Sequence, residues 1–479
     1  MKTQRKRAFP LIASSLFLFA TACSGGKKQA TETENLPSSA VANQPVIIET
    51  NRLNPGVRYQ EERSVDPANP PVVLDFTQKL VEQPLSLNDY FTKATCVTLK
   101  HPLPADQGGF LYDFSIRIRY DGGMSMSTGS QTDIQVKTPY ILTKDLFGTL
   151  LYDMNGTLVD STGLTPIKNI KYNAAKREIE YQTKNRTALT QGLALLEGDK
   201  CLYLQHDTVA DYFKMCWKSM PDGKILQEIR FIERPHTTYL QDLDETALFS
   251  QNGSFRAAEV LTTFDRNTYD TLCVFHNYNR PTVQPKGPFP FPEHTWLYRN
   301  NGKLYYRQAF NDTVFHVASA NKLVPVYLLE LGEKGADINT TLKGDLSQSL
   351  VAAQWLDTDK FILFTYTRNY DCLNTRRNNT VTYHYALYDK AKKQLFRLPG
   401  EGIYPDEYIL PADLTGGIPV LLQDIKFQDH KLVTTYTKSK LEALQKLKGF
   451  KQLPVGQQDR VRQLSESLGD TEMIVMMLE

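Results

Sequence analysis

Short apolar segments separated by tight-turn sequences recur along most of this chain. In the stretch Phe114–Tyr120, apolar and polar residues alternate, which is the period-2 pattern of a strand with one buried face, and residues 383–387 repeat it. Two-residue hairpin signals lie between such segments at Asn155-Gly156, Asp222-Gly223 and Asn301-Gly302. These residue types tolerate the positive φ that a tight hairpin turn requires. The sequence therefore predicts an all-β chain.

The number of hairpins favours a closed architecture. An open sheet with so many strands would expose long edges, which radial closure avoids. The hairpins form five or six units of roughly 60–65 residues, longer than the ~40–50 residues of compact blades, so long loops are implied. We predict a six-bladed β-propeller. Helical segments at 438–448 and 459–468 precede an apolar terminal strand, 473–478, which we expect to close the ring by pairing with 72–76 or 96–99.

The N-terminus carries the pattern of a secretory signal peptide. A basic segment (Lys2, Arg5, Lys6, Arg7) precedes an apolar run, 8–20, that is short for a membrane span. The run ends in Leu-Phe-Ala-Thr-Ala-Cys, which resembles the lipobox of bacterial lipoproteins, with Ala20 where Leu is commonest. The resemblance implies lipidation of Cys23. The alternative is a plain secreted protein with an incidental cysteine.

Three regions follow from this pattern. We predict a lipoprotein signal peptide over 1–22, a lipidated flexible tether over 23–70, which is polar and has one aromatic residue, and a propeller domain over 71–479. Diacylation anchors a protein at a membrane surface without a spanning segment. The residues after Cys23 lack the acidic run that often marks surface-exported lipoproteins of Bacteroidetes. We therefore expect lipid anchoring to a bacterial outer membrane, with the periplasmic face favoured over the cell surface.

Charge and cysteine content add two constraints. The chain has 55 Lys and Arg against 53 Asp and Glu, and loss of the four basic residues of the signal peptide changes the net charge from +2 to −2. A chain with so little net charge lacks the strong basic bias that non-specific nucleic-acid binding requires. Export also permits disulfides. Cys201 and Cys216 flank a segment that could form a hairpin and pair them, although isolated buried thiols are as good an interpretation.

Three segments resemble a known group of proteins. Residues 140–163 (YILTKDLFGTLLYDMNGTLVDSTG), 310–332 (FNDTVFHVASANKLVPVYLLELG) and the late YALYDKAKKQLFRL with ADLTGGIP are similar to the six-bladed propeller lipoproteins of Bacteroidetes, which are NHL-like in style. The resemblance covers most of residues 70–479 and consists of strand-and-turn patterns. It implies a fold and a location, because the function of this family is largely uncharacterised. The segment 120–131 departs from the family, whose second strand and turn are usually shorter.

The sequence predicts no catalytic residue, cofactor or metal site. It lacks the nucleophile elbow, the phosphate loop and the zinc and EF-hand patterns, and its eight histidines are scattered. Two groups of carboxylates, Asp242/Asp244/Glu245 and Asp357/Asp359, could bind a cation or act on a sugar. Both lie in turn-like sequence, where Asp is favoured for its local hydrogen bonds, and we favour that interpretation.

Three loops are candidates for a ligand-binding face. The segment 280–292 (RPTVQPKGPFPFP) is proline-rich and presents two phenylalanines, and 400–405 places a tyrosine beside two glycines. The segment 368–379 has three arginines, which suit an anionic or polyhydroxylated ligand. The candidate ligand-binding residues are Arg368, Tyr370, Arg376, Arg377 and Tyr404. Ordinary long blade connections are the alternative.

These patterns favour a binding module over an enzyme. We expect an outer-membrane lipoprotein whose propeller binds a glycan, a peptide or an envelope protein partner, and no nucleic acid. One alternative is a glycan hydrolase or lyase that uses carboxylates in the central channel. The other is a structural scaffold of the envelope.

Overall fold

The structure, a computed structural model, describes most of the chain beyond residue 45. The described residues are 46–50, 57–103, 109–110, 114–120, 125–130, 132–145, 148–162, 170–173, 178–183, 194–207, 212–220, 222–231, 239–244, 246–251, 258–279, 296–308, 310–335, 339, 350–368, 382–399, 409–410 and 414–479.

The described residues are mostly β-strands, numbered here in chain order. The N-terminal strands are β1 (Val46–Thr50), β2 (Glu62–Arg63), β3 (Val72–Asp75), β4 (Val81–Glu82) and β5 (Ala94–Lys100). Then come β6 (Phe114–Tyr120), β7 (Ser125–Ser130), β8 (Asp133–Lys137), β9 (Tyr140–Asp145), β10 (Gly148–Asp153), β11 (Leu158–Thr162), β12 (Ile170–Asn173), β13 (Glu178–Thr183), β14 (Ala194–Glu197), β15 (Lys200–Asp207), β16 (Tyr212–Ser219) and β17 (Ile225–Phe231). The next are β18 (Tyr239–Asp242), β19 (Ala247–Gln251), β20 (Glu259–Asp265), β21 (Thr271–His276), β22 (Trp296–Asn300), β23 (Lys303–Arg307), β24 (Thr313–Ser319) and β25 (Lys322–Glu330). The last strands are β26 (Leu350–Asp357), β27 (Phe361–Arg368), β28 (Thr382–Asp389), β29 (Gln394–Arg397), β30 (Ile409–Leu410), β31 (Val420–Leu421), β32 (Lys426–Gln428), β33 (Lys431–Thr437) and β34 (Glu472–Leu478), with helices α1 (Lys438–Leu444) and α2 (Val455–Ser467) between the final two.

Six antiparallel sheets are arranged as the blades of a propeller. Blades 1 to 5 are β8–β11, β14–β17, β18–β21, β22–β25 and β26–β29, and blade 6 combines β32, β33 and β34 with β5. The first strands of successive blades contact one another, β8 with β14, β14 with β18, β26 with β32 and β32 with β8, and so surround the central channel. The predicted six-bladed propeller is confirmed, as are its two C-terminal helices before the last strand. The second helix begins earlier than predicted, directly after Pro454.

Blade 6 closes the ring by joining the two ends of the domain. Strand β34 pairs antiparallel with β5, with Met473 opposite Leu99 and Leu478 opposite Ala94. Of the two partners predicted for the terminal strand, the segment 96–99 is therefore confirmed. The other candidate forms β3, which pairs with β25 in blade 4.

An N-terminal belt, here the residues 46–50 and 57–82, follows the outer edges of four blades. Strand β1 pairs with β17, β2 and β3 pair with β25, and β4 pairs with β29, all in parallel. Between them the backbone N–H groups of Arg58 and Tyr59 donate to the Leu272 carbonyl of blade 3. The last part of the stretch predicted as a tether thus lies against the blades. Residues 1–45 lie outside the described residues.

An accessory sheet is added to the six blades. Its strand order is β12-β13-β6-β7, and β13 runs parallel to β6. The strand predicted over Phe114–Tyr120 is confirmed as β6, but it belongs to this sheet and to no blade. Strand β7 accounts for much of the 120–131 segment that departs from the family pattern.

The three predicted hairpin signals are confirmed as tight turns. Gly156, Gly223 and Gly302 have φ values of 85°, 66° and 72°. Gly156 has a second constraint, because a Cβ at this position would lie 2.3 Å from the Thr98 carbonyl oxygen of β5. At Gly223 no atom lies within 4 Å of an added Cβ. Gly156 therefore permits the close approach of blade 1 to strand β5 of blade 6.

Gly156→Ala is expected to destabilise the protein more than Gly223→Ala. Both variants place a side chain in the left-handed region, at a cost of roughly 1–2 kcal/mol. Only Gly156→Ala adds a clash with backbone, for about 1–3 kcal/mol more. Urea unfolding of the two variants measures the difference. Equal midpoints and slopes would contradict the proposed close approach.

Candidate functional site

The strand order places the blade connections on two opposite faces. In each blade the four strands are antiparallel, so the connections from first to second and from third to fourth strand share one face. These connections have two to five residues, for example 138–139, 266–270 and 301–302, and we call this side the turn face. The connections from second to third strand, and from one blade to the next, share the other side.

This second side, the decorated face, receives the long connections. Five of them span 277–295, 331–349, 369–381, 398–425 and 438–471. The accessory sheet also starts from this side, because it is inserted between β5 and β8 and between β11 and β14. The pair β30–β31 and the helices α1 and α2 lie in such connections as well. The fold thus concentrates its long connections at one end of the channel.

The helical insertion is fixed to blade 6 by a buried ion pair. Lys440 of α1 is 1% exposed, and its Nζ lies 2.8 Å from Oδ2 of Asp424. The same ammonium lies 5.2 Å from the ring centroid of Tyr436. The Thr437 hydroxyl accepts from the Lys440 N–H and caps the helix. These contacts hold α1 in a defined position on the decorated face.

At the channel entrance one carboxylate lies beside two lysines. Asp133 is the first residue of β8, and it forms an ion pair with Lys426, the first residue of β32. Lys144 lies directly opposite Asp133 in the β8–β9 pairing. Desolvation raises the pKa of the Asp133 carboxyl, although the side chain is 52% exposed, and the two lysines outweigh this and lower it below its usual value. Both first strands begin on the decorated face, so this group lies at that end of the channel.

The inner edge of blade 1 is bonded by a side chain from blade 6. Gln428 accepts from the Val136 N–H at 2.7 Å and donates to the Ile134 carbonyl at 3.1 Å. A first strand otherwise presents unpaired backbone groups to the channel. Gln428 forms hydrogen bonds with two of these backbone groups and so connects blade 6 to blade 1.

A polar network lies in the interface between blades 4 and 5. Asp357, at the end of β26, accepts hydrogen bonds from Tyr298 Oη at 3.0 Å, Asn300 Nδ2 at 3.1 Å and Lys390 Nζ at 2.6 Å. The side chain of Asp357 is 1% exposed. Burial raises the pKa of its carboxyl, although Lys390 and the two other donors favour the ionised form. The network joins two blades at the turn face.

The same interface has a buried arginine nearer the decorated face. Arg307, the last residue of β23, is 1% exposed, and its guanidinium lies 5.7 Å from the centroid of the Trp355 ring. Burial lowers its pKa to about 10. Beyond it, the rings of Tyr366 and His384 stack with centroids 5.1 Å apart. Polar and aromatic side chains are therefore buried in this interface beside its aliphatic residues.

The structure places one of the predicted ligand-binding residues. Arg368 is the last residue of β27, at the decorated face. The others, Tyr370, Arg376, Arg377 and Tyr404, lie outside the described residues, as does Cys23. The strands that flank the three candidate loops end or begin on the decorated face, so the topology brings the ends of these loops to the same side.

The carboxylates noted in the sequence lie at the turn face. Asp244 Oδ1 accepts from the backbone N–H groups of Thr246 and Ala247, which is the local turn bonding that was expected. Asp359 Oδ2 lies 2.8 Å from Nδ1 of His430. Glu245 lies outside the described residues. Among the described residues, no group of three or more His, Cys, Asp or Glu side chains is placed to hold a metal ion.

Cys201 and Cys216 are both buried, free thiols. They lie in adjacent strands, but Cys201 pairs with Lys218 and Cys216 with Tyr203. The two cysteines are thus diagonal neighbours, which are about 7–8 Å apart at Cα, beyond the usual ~4.4–6.8 Å of a disulfide. Burial raises the pKa of each thiol to about 12. The hairpin expected from the sequence is present as β15 and β16, but its register does not place the two cysteines opposite each other.

Two contacts of the site could not be predicted from the sequence. Asp133 and Lys426 are far apart in the chain, and no motif contains either residue. Gln428 is an ordinary polar residue of a short strand. Both contacts form only when blade 6 packs against blade 1.

Asp424→Asn is expected to destabilise the protein by about 3–5 kcal/mol, because it leaves the Lys440 ammonium buried without its counter-charge. Asp470→Asn is the matched control, since Asp470 pairs with Lys438 of the same helix at 3.1 Å but is 52% exposed. Exposed pairs contribute about 0–1 kcal/mol. Chemical denaturation compares the variants, and similar losses for both would refute a structural role for the buried pair.

Among the described residues, no helix has the length and apolar character required to cross a membrane. No curated protein shows significant similarity to the sequence.

Several solved structures from Bacteroides are similar in overall shape. A protein of Bacteroides fragilis described as exported has 11% identity and a TM-score of 0.46, over 85% of this chain and 99% of that chain. A DUF4221 member from Bacteroides vulgatus has 8% identity and a TM-score of 0.38, over 81% and 98%. A Bacteroides caccae protein of unknown function has 11% identity and a TM-score of 0.29, over 57% and 84%. In sequence, the family described as a domain of unknown function, DUF4933, matches residues 54–446. The chain belongs to the DUF4933 family.

Proposed function

We propose that this protein is a lipoprotein of the outer membrane, anchored through Cys23, whose propeller binds a glycan or a peptide on its decorated face. The observation that carries the proposal is the unequal distribution of its connections. Those on the turn face have two to five residues, whereas the decorated face has all five connections named above and the accessory sheet. Long loops on a rigid scaffold are where binding residues concentrate.

The position of the charged groups supports binding at this face. The pair of lysines around Asp133 stands at the channel entrance on the same side, and Arg368 ends β27 there. Concave sites at the mouth of closed β architectures are common ligand sites. The basic loop 368–379 would supply further hydrogen-bond donors to a polyhydroxylated or anionic ligand.

The carboxylates favour binding over hydrolysis. Asp357 is buried, hydrogen-bonded by three side chains and located at the turn face. Asp133 is ion-paired with Lys426. A glycosidase needs two carboxyl groups facing one substrate, about 5–10 Å apart. Both carboxylates are instead engaged in contacts that join one blade to the next.

The N-terminal sequence supports the anchor. A basic segment, a short apolar run and the small residues before Cys23 agree with a lipoprotein signal. The belt begins at residue 46, on the outer edge of blade 2. A tether of the residues between Cys23 and the belt would then hold the propeller near the membrane.

Binding is tested with the protein produced from residue 45 onward on printed glycan and peptide arrays. We expect retention of a glycan or peptide without chemical change to it. Arg376→Ala/Arg377→Ala should weaken this binding at least tenfold, because it removes two charged donors from the basic segment 368–379. Lys393→Ala, on the turn face of the same blade, is the control and should have no effect. Absence of binding across both arrays would remove the proposal.

The anchor is tested separately by Cys23→Ser in the full chain. Loss of the acylated thiol should move the protein from the membrane fraction to the soluble fraction, as measured by cell fractionation. Unchanged membrane association would contradict lipidation at Cys23.

A further inference from the structure

Tyr278 is an exposed aromatic residue that is nevertheless held in place. It lies two residues beyond the end of β21, at the start of a long connection of the decorated face, and is 73% exposed. Its hydroxyl donates to Glu61 Oε1 at 2.6 Å. The Arg63 guanidinium lies 4.5 Å from the ring centroid. One side of the ring is therefore packed against the belt, while most of the side chain faces solvent.

Glu61 is the centre of this arrangement. It is 13% exposed in its side chain, and it accepts from Tyr278 Oη, from the His276 N–H at 3.1 Å and from His276 Nδ1 at 3.0 Å. Burial raises the pKa of the Glu61 carboxyl, but the Tyr278 hydrogen bond and the Arg63 charge lower it below its usual value. Because an ionised carboxylate only accepts, His276 carries its proton on Nδ1. In the neutral ring, Nε2 is then an acceptor.

Attachment of the belt does not account for the exposed ring. The belt is already bonded to blade 3 through Arg58 and Tyr59, whose N–H groups donate to the Leu272 carbonyl. Arg63 adds a hydrogen bond to the His276 carbonyl at 2.7 Å. An aromatic ring at position 278 adds little to these contacts. Its fixed orientation toward solvent is the property of a ring that stacks on a ligand.

The chemistry around the ring selects a neutral ligand. Glu61 and Arg63 neutralise each other at 3.3 Å, so the group offers no net charge for an ionic ligand. The groups at the edge of the ring, Tyr278 Oη and His276 Nε2, can accept hydrogen bonds, which suits hydroxyl groups. A ligand with an apolar face and hydroxyls along its edge fits both properties, and a pyranose ring has this form.

We propose that Tyr278 is a stacking platform for a neutral sugar ring, with Tyr278 Oη and His276 Nε2 accepting hydrogen bonds from its hydroxyls. The inference rests on the proposed binding function and narrows its ligand to a glycan. The platform stands at the outer rim of the decorated face, where the chain leaves blade 3. It gives a sugar chain a contact at the rim in addition to those at the channel entrance.

The test uses calorimetric titration of the protein from residue 45 onward with neutral oligosaccharides. The probes are cellohexaose, xylohexaose, mannohexaose, maltohexaose and β-1,3-linked glucohexaose. We expect binding of at least one probe. Tyr278→Ala should weaken it tenfold or more, and Tyr278→Phe should weaken it by a smaller factor, because the ring remains while the hydroxyl is lost. Tyr59→Ala is the control, since Tyr59 is an exposed tyrosine of the belt that is not part of the platform.

Two results would overturn the inference. Unchanged affinity of Tyr278→Ala for a bound probe would exclude the platform and leave the proposed binding function intact. Failure of all five probes, together with retention of peptides on the arrays, would exclude a sugar and identify a peptide-binding protein. Thermal unfolding of Tyr278→Ala should match that of the unaltered protein, so a loss of binding is not a loss of folding.

Discussion

The rest of the structure depends on the pairing of β34 with β5. This pairing joins residues 94–100 to residues 472–478 and converts a row of blades into a ring. The alternate side chains of β34 enter two different cores. Met473, Val475 and Met477 pack in the cluster shared with blade 1, whereas Ile474, Met476 and Leu478 pack in the cluster shared with blade 5. The strand is therefore buried on both faces, which explains its continuous apolar sequence.

Ring closure also determines where the chain can vary. Once six blades pack side by side, changes in strand length or register disturb two interfaces at once. Insertions are tolerated in connections, and in this protein the long ones are on one face. The belt adds a second layer around blades 2 to 5 and brings Glu61 and Arg63 to Tyr278. The proposed binding surface depends in this sense on ring closure.

Local patterns predicted much of the fold. The Asn-Gly and Asp-Gly turns, the alternation in residues 383–387 and the apolar C-terminal strand each depend on residues close in sequence, and each was found. Most of the belt was missed because its strands have only two to five residues, and they form only against the blade edges. The accessory sheet was missed because it pairs β6 with β13 across blade 1. The Asp133–Lys426 pair and the Glu61 cluster likewise join residues distant in sequence, for which a single sequence offers no signal.

Hydrogen–deuterium exchange with and without an array-selected ligand tests the central claim most directly. The account predicts that the ligand slows exchange in the connections of the decorated face, including 277–295 and 369–381, and leaves the turn-face connections such as 220–224 and 390–393 unchanged. Protection confined to the turn face would contradict the account.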